Sequence, residues 1–232
     1  MMIITRDQAF VIVCNIRTPI SDNRENVGTG SFIVKDNRIY LLTAAHVAIE
    51  TNKNTYLALG DKKSNCIKVP IIELVDYLDW NIHRTADIAI LEMIPNKHMQ
   101  MFEGRCFPYD HINLTENIAS RDDEITIIGF PNGLGIDGKF SPLTFRSHLS
   151  SGLITLKRAD KNIYTEFFCL ENPSMGGYSG APVLDLGYSV WGNATSTKEK
   201  TIMQGVVHGT MSDNTGGKIA LITPTYFLKD LL

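Results

Sequence analysis

Ser31-Phe32-Ile33-Val34-Lys35-Asp36-Asn37-Arg38-Ile39-Tyr40-Leu41-Leu42-Thr43 decides how the chain is read. Two runs rich in β-branched, aromatic and aliphatic residues flank Lys35-Asp36-Asn37. Asp and Asn tolerate the left-handed backbone of a tight turn, so the stretch reads as a β-hairpin. The same signature recurs in both directions. Strands are expected over 9–16, 55–59, 67–72, 88–91 and 124–129, then over 152–156, 164–168, 181–184, 203–207 and 219–222. Helical periodicity is scarce: a short turn after Ala45 and a C-terminal helix over 225–232 are the two helices expected. The stretch from about 95 to 122 divides the strands into two clusters, which suggests two antiparallel barrels or sandwiches. No repeat of fixed period and no low-complexity tract interrupts them.

Composition narrows the class further. The chain has 232 residues, 44% of them hydrophobic and 20% charged, with 18 Gly and 9 Pro, so it can bury a core and is not disordered. That length fits one large domain or two small ones packed together. Lys and Arg number 22 against 25 Asp and Glu, a formal charge of −3. This balance argues against nucleic acid as a main partner and gives no reason to expect an anionic membrane surface. Met1-Met2-Ile3-Ile4-Thr5-Arg6-Asp7 offers no basic n-region and too short an apolar run for a signal peptide. Nor does any stretch reach the roughly 18 apolar residues that span a bilayer, so a cytoplasmic location is expected. Cys14, Cys66, Cys106 and Cys169 are scattered without a CxxC; they read as reduced thiols serving mainly as small core hydrophobes. The sequence has no zinc-ligand cluster, and Gly133-Leu134-Gly135 and Gly216-Gly217 read as loops, so no metal and no cofactor is expected.

Three segments carry chemistry together. Thr43-Ala44-Ala45-His46-Val47 ends an apolar strand, Ala86-Asp87-Ile88-Ala89-Ile90-Leu91 sets an acid before another, and Gly176-Gly177-Tyr178-Ser179-Gly180-Ala181-Pro182 centres one serine in a glycine-rich turn. A serine hydroxyl is a poor nucleophile and needs a base, for which imidazole is poised near neutral pH. A buried carboxylate on the far nitrogen holds the imidazole in the right tautomer and stabilises the imidazolium that forms. Glycines beside the serine permit the tight backbone that aims amide groups at a developing oxyanion. His83, Asp76 and Asp79 lie near Asp87 but lack its apolar follow-on and read as loop residues.

In the order His, Asp, Ser these motifs resemble a chymotrypsin-fold, trypsin-like serine peptidase, closest in flavour to bacterial trypsin-like and glutamyl endopeptidases. Gly28-Thr29-Gly30-Ser31-Phe32 resembles the strand entry before the histidine motif, and Ile128-Gly129-Phe130-Pro131 resembles the strand opening the second barrel. The resemblance covers about residues 8 to 232. It implies an all-β fold of two antiparallel six-stranded barrels with a short C-terminal helix. Residues 1–112 would carry His46 and Asp87, and residues 113–232 would carry Ser179 and the specificity pocket. By the same resemblance His46 is the general base, Asp87 its orienting carboxylate and Ser179 the nucleophile, and the N–H groups of Gly177 and Ser179 form the oxyanion hole. Tyr178 stands where many secreted members carry an acid that pairs with a newly cut N-terminus, so activation by such cleavage has no evident electrostatic partner.

The resemblance also points to a pocket. Pro173 occupies the place of a basic-specific aspartate, so Arg or Lys at P1 is not expected. His208, with Ser174, resembles the group that glutamyl enzymes use for an acidic P1 side chain, which implies cleavage after Glu, or after Gln or Asp. A strand histidine satisfied by the core is the competing reading. Gly209 and Thr210 would pair with the extended substrate backbone. The partner expected is a protein or peptide substrate, with a regulatory protein partner as a further expectation. Two other functions stay open: a gated binding module on the same fold, and an esterase or acyltransferase using the same triad.

Overall fold

The computed structural model describes residues 3–21, 24–94, 98–158, 160–191, 194–198 and 200–232. Met1 and Met2 of the opening run lie outside them. The decisive hairpin forms as read. Strand β1 (Val13–Ser21) precedes β2 (Arg24–Lys35) and β3 (Arg38–Thr43), and Lys35 pairs with Arg38 across a two-residue loop. Asp36 and Asn37 in that loop have φ of 50° and 62°. Two consecutive positive values match the right-handed twist of the flanking strands, which explains why Asp-Asn sits there.

Both faces of this hairpin are covered. Phe32 and Leu41, a cross-strand pair, join a core with Leu57, Leu59 and Phe102. Ile33 and Leu42 point the other way, into a second core with Ile128, Phe130, Leu184 and Val206 from the other half of the chain. Successive strand residues face opposite sides, so one hairpin fills the interior of its own sheet and also the seam between halves. Each such fully buried side chain contributes about 1.5–3 kcal/mol.

The first sheet adds β4 (Tyr56–Gly60), β5 (Cys66–Pro70), β6 (Asn81–Ile82), β7 (Ala89–Met93) and β8 (Phe107–Pro108). Its order is β5-β4-β1-β2-β3-β7-β6, with β8 parallel beside β2. The second sheet comprises β9 (Ile125–Gly129), β10 (Leu143–Ser147), β11 (Ile154–Lys157), β12 (Tyr164–Leu170) and β13 (Pro182–Asp185). A separate hairpin of β14 (Tyr188–Trp191) and β15 (Ala194–Thr197) follows, and then β16 (Ile202–Ser212) and β17 (Lys218–Pro224) complete the sheet in the order β10-β9-β13-β16-β17-β12-β11. The chain is therefore mostly β with two antiparallel sheets and few helices, a chymotrypsin-like two-domain β fold. The sheets hold eight and seven strands instead of the six apiece that were expected. Part of the surplus is two-residue strands too short to leave an alternating pattern.

One further expectation is corrected at the N-terminal end, and at the C-terminal end the expected short helix forms. Residues 9–16 were read as one strand, but Arg6–Ala9 forms helix α1 and Phe10–Ile12 a 3₁₀ turn before β1 begins. The cause is a capping box. Thr5 Oγ1 accepts from the amide of Gln8 while the Gln8 side chain accepts from the amide of Thr5. At the other end Thr225–Asp230 is a 3₁₀ helix. Its end reaches the first sheet, where the Lys35 ammonium and the Asn81 amide donate to the carbonyls of Leu232 and Leu231. No helix among the described residues is long and apolar enough to cross a membrane.

Candidate active site

Asp87 sits in the turn before β7 and has no exposed surface. The turn is held by His83, whose Nδ1 accepts from the amides of Thr85 and Ala86. With Nδ1 bare, the other nitrogen carries the proton and donates to Asp230, 3.0 Å away. His83 is thus a loop-fixing residue.

His46 lies in helix α2 (Ala45–Ile49), the short turn expected after Ala45. Its amide donates to Asp87 Oδ1 at 3.0 Å and its ring Nδ1 to Oδ2 at 2.7 Å. An ionised carboxylate only accepts, so Nδ1 must carry the proton and Nε2 is left as a free lone pair. Burial opposes the charge on Asp87, but hydrogen bonds from His208 and His46 outweigh it and hold the carboxyl far below the usual carboxylate range. Burial likewise opposes protonation of His46. The Asp87 hydrogen bond and charge prevail and raise its pKa above the ordinary imidazole value.

Ser179 stands between two glycines that admit no side chain. Gly180 has φ +83°, and a Cβ there would lie 2.1 Å from Thr43 Oγ1 and 2.3 Å from the Thr29 carbonyl. Gly177 has φ +90°, and its Cβ would meet the Phe130 carbonyl at 2.3 Å. Thr29 pins this loop to the first sheet: its amide donates to the Ser179 carbonyl at 2.8 Å and its hydroxyl to the Gly177 carbonyl at 2.8 Å. The Asn132 amide holds the Gly176 carbonyl at 2.6 Å. In a trans peptide C=O and N–H point oppositely, so the Gly177 amide faces away from Asn132. Among the described residues the amides of Gly177 and Ser179 take no acceptor. Their carbonyls are anchored while those two donors are left over.

The Ser179 hydroxyl donates to the carbonyl of His208 at 3.3 Å, not to His46. Serine and imidazole nevertheless line one cavity of about 440 Å³, whose other walls include Val27, Val47, Ile20 and Glu50. Rotation of a single serine torsion between staggered wells redirects the hydroxyl. Apart from Ser179, the cavity is lined by β1, β2, α2 and the residue that follows α2.

His208 departs from the expectation of a P1-binding imidazole. Its Nδ1 donates to Asp87 Oδ2, and its ring packs on Phe167 and edge-on to His46, with centroids 5.0 and 5.7 Å apart. The physical reason is strand alternation with a bulge between Val207 and Gly209, which turns position 208 inward. Ser174 lies beside this strand, with its carbonyl accepting from the Thr210 hydroxyl at 2.8 Å. Gly209 and Thr210 pair with β17 on one side, whereas β13 reaches β16 only as far as Val206. The other edge of 209–212 therefore lacks a sheet partner among the described residues.

Arg158 was not singled out from the sequence, because a Lys-Arg pair closing a strand looks like a solvated end. It is buried, with Nη2 donating to Asp87 Oδ1 at 3.0 Å, Nη1 to the Thr85 carbonyl at 2.8 Å, and Nε to Asp160 at 2.9 Å. Thr29 was likewise quoted only as part of a strand, with nothing to mark it as the pin of the serine loop.

His46, Asp87 and His208 bring ligand-type atoms within 4.8 Å of one another. Those atoms are joined donor to acceptor at hydrogen-bond distance, so the two Nδ1 lone pairs that a metal would need are protonated. All four cysteines are free thiols; burial pushes Cys106 up to about 11 and raises Cys14 and Cys66 as well, keeping them protonated.

A histidine held by a buried aspartate and opening onto a serine in a glycine turn, on two antiparallel sheets, is the arrangement of the trypsin-like peptidases. The family model for the trypsin-like peptidase domain matches residues 28–211, well over half the chain, and the chain belongs to that family. Among solved structures, the active form of the Rv3671c protease from M. tuberculosis is similar at 18% identity and a TM-score of 0.61, over 97% of this chain and 80% of that one. The MamO protease domain from Magnetospirillum magneticum matches at 12% identity and 0.62, over 98% and 99%. The serine endoprotease from Yersinia pestis matches at 17% and 0.55, over 99% and 66%. At such identities the likeness shows the fold. A search of curated proteins gave no match.

Proposed function

We propose that the chain is a serine endopeptidase acting through His46, Asp87 and Ser179. The observation that carries this reading is the Asp87–His46 pair, which fixes the Nδ1–H tautomer and leaves Nε2 free on the cavity shared with Ser179. The Ser179 Oγ attacks the scissile carbonyl carbon as its proton passes to His46 Nε2. The resulting oxyanion is met by the unpartnered amides of Gly177 and Ser179. Collapse breaks the C–N bond, His46 returns the proton to the leaving amine, and water then hydrolyses the acyl-enzyme by the same route. Residues 1–112 supply base and carboxylate, and 113–232 supply nucleophile and substrate edge.

The substrate backbone adds to the open edge of β16 at Gly209 and Thr210 as a strand. Preference for Glu or Gln at P1 now rests on the hydroxyl of Ser174, since the Nδ1–H of His208 is given to Asp87 and the Thr210 hydroxyl to the Ser174 carbonyl. Scanning P1 with peptide substrates tests it, and a preference for Arg or Phe ends it.

Labelling with a fluorophosphonate probe tests the reading as a whole. Labelling that vanishes in Ser179→Ala supports a competent nucleophile. An unlabelled wild type at every pH would overturn it, in favour of a binding module gated by a regulatory partner. Labelling with hydrolysis of small esters but of no peptide would point to an esterase.

A further inference from the structure

The cavity beside Ser179 holds an acid that the reaction does not use. Ile20, Val27 and Val47 give it apolar walls, and Glu50, an exposed residue, completes the lining. Asn26 Nδ2 donates to Glu50 Oε2 at 2.6 Å, which fixes the carboxylate without neutralising it. Among the described residues Oε1 takes no partner and no cation pairs with Glu50. Arg17 and Arg24 line the neighbouring cavity instead, and Arg17 is committed there to Glu25 at 2.6 Å. Nor does the fold ask for an acid at this place. Glu50 is the C-cap of α2, where carbonyl oxygens gather and a carboxylate gains nothing.

Which half of a substrate enters this cavity follows from the path of the proton. His46 Nε2 returns its proton to the leaving amine, so the residue bearing that amine lies against His46. The cavity joins His46 to Ser179 and includes none of Gly177, Ser174, Gly209 and Thr210, the residues assigned to the acyl half. It therefore suits the first residue after the scissile bond, P1′. Glu50 follows His46 by four positions with helical backbone, which sets it one turn along the same face, on the order of 6 Å away. A side chain that enters beside His46 and follows this face ends at the carboxylate, with apolar walls along its length. Lysine and arginine have that form, an apolar stem with a cation at its tip.

We propose that Glu50 is a specificity-determining residue that selects lysine or arginine at P1′. The claim rests on the peptidase reading given above and adds a preference on the leaving side of the bond. Norleucine at P1′ fills the same walls without the charge. Glutamate at P1′ meets Glu50 as a like charge and is disfavoured.

The test compares kcat/KM for peptides of one fixed acyl half that differ only at P1′. In the wild type lysine should exceed norleucine by about two- to fivefold, the scale of an exposed ion pair, and the margin should shrink as salt is added. Glu50→Gln still accepts from Asn26 but carries no charge, and its lysine-to-norleucine ratio should fall to one or below. Glu50→Lys should favour glutamate over lysine. Each ratio is taken within a single variant, so a partly unfolded preparation leaves it unmoved. A wild type indifferent to charge at P1′, or a lysine preference that survives in Glu50→Gln, overturns the proposal. A second measurement needs no turnover. In NMR titrations of Ser179→Ala, lysinamide should perturb the Asn26 side-chain amide and the Val47 amide at lower concentration than norleucinamide does. The difference should disappear when Glu50→Gln is added. Equal titrations overturn the proposal, whereas a lysinamide preference in a protein that neither labels nor cleaves rejects the peptidase reading and leaves the selectivity of the cavity standing.

Discussion

Arg158 Nη2 lies 3.0 Å from Asp87 Oδ1, and neither side chain has exposed surface. A cation from beyond β11 on the second sheet thus holds a carboxylate that belongs to the first. The same guanidinium serves Asp160 and the Thr85 carbonyl, so most of its donors are used. Cutting one member of such a buried network strands the others, which costs far more than the network adds net. Arg158→Met should therefore destabilise by about 3–5 kcal/mol. Asp160→Asn should cost much less, because Asp160 is partly exposed and Arg158 keeps Asp87. Urea denaturation of both variants checks the ordering, and a loss below about 0.5 kcal/mol for Arg158→Met would remove the clamp from the account.

Glycine position decides a second set of outcomes. Gly180→Ala forces a Cβ against Thr43 Oγ1 and the Thr29 carbonyl at a positive φ, and Gly177→Ala presses on the Phe130 carbonyl. Gly104 also has a positive φ of 71°, but nothing lies within 4 Å of where its Cβ would sit. Gly104→Ala should cost only the backbone term of about 1–2 kcal/mol. Gly177→Ala and Gly180→Ala should cost more and should also depress fluorophosphonate labelling, since both displace the serine loop. Equal stability losses at all three sites would mean that close contact with neighbouring atoms is not what demands glycine.

Much of this molecule was legible in one dimension. The Asp36-Asn37 turn, the strands at β3, β7, β9 and β12 and the seats of His46, Asp87 and Ser179 all follow from local rules: alternation, turn chemistry, a glycine pair. What escaped was non-local or masked by composition. Arg158 looked like a surface cation because burial of a guanidinium depends on Asp87 and Asp160, which no local window sees together. His208 was aimed at a pocket because its neighbours in sequence suggested one, whereas a bulge beside Val207 sets its facing. Residues 9–16 read as one strand because apolar Ala9-Phe10-Val11-Ile12 outweighs the Thr5…Gln8 spacing in sequence, whereas the capping box starts a helix there and delays the strand to Val13.

That capping box is itself testable. The Thr5 hydroxyl accepts from the Gln8 amide at 3.2 Å, and the neighbouring Ile4 amide reaches Thr201 Oγ1 at 3.0 Å, tying the N-terminal segment to the second half. Losing an N-cap hydroxyl costs about 1 kcal/mol. Thr5→Ala should lower the melting temperature by roughly 2–4 °C for a chain of this size, and Thr5→Ser should not. Matching losses in the two variants would show that the methyl group, not the hydroxyl, matters at this position.

Titration separates the Asp87–His46 pair into two opposite dependences. Burial works against the Asp87 charge, but the donors from His208 and His46 hold its folded pKa below the unfolded value near 3.9. Its stabilisation is therefore present above that value and is lost as pH falls through the folded pKa. His46 has the reverse sign: its folded pKa is raised above about 6.5, so its contribution is complete below that pH and is lost as pH rises through the folded value. Labelling needs His46 neutral, so the acid limb of labelling should begin above about pH 6.5 in the wild type. Asp87→Asn removes the carboxylate that raises His46 and fixes its tautomer. Its rate should fall on the order of ten-thousand-fold, and any residual acid limb should move to lower pH. Stability should respond as well, with Asp87→Asn losing most above about pH 4 and converging on the wild type only in strong acid. A labelling limb that stays in place when Asp87 is replaced would show that some other group, not this carboxylate, sets the basicity of His46.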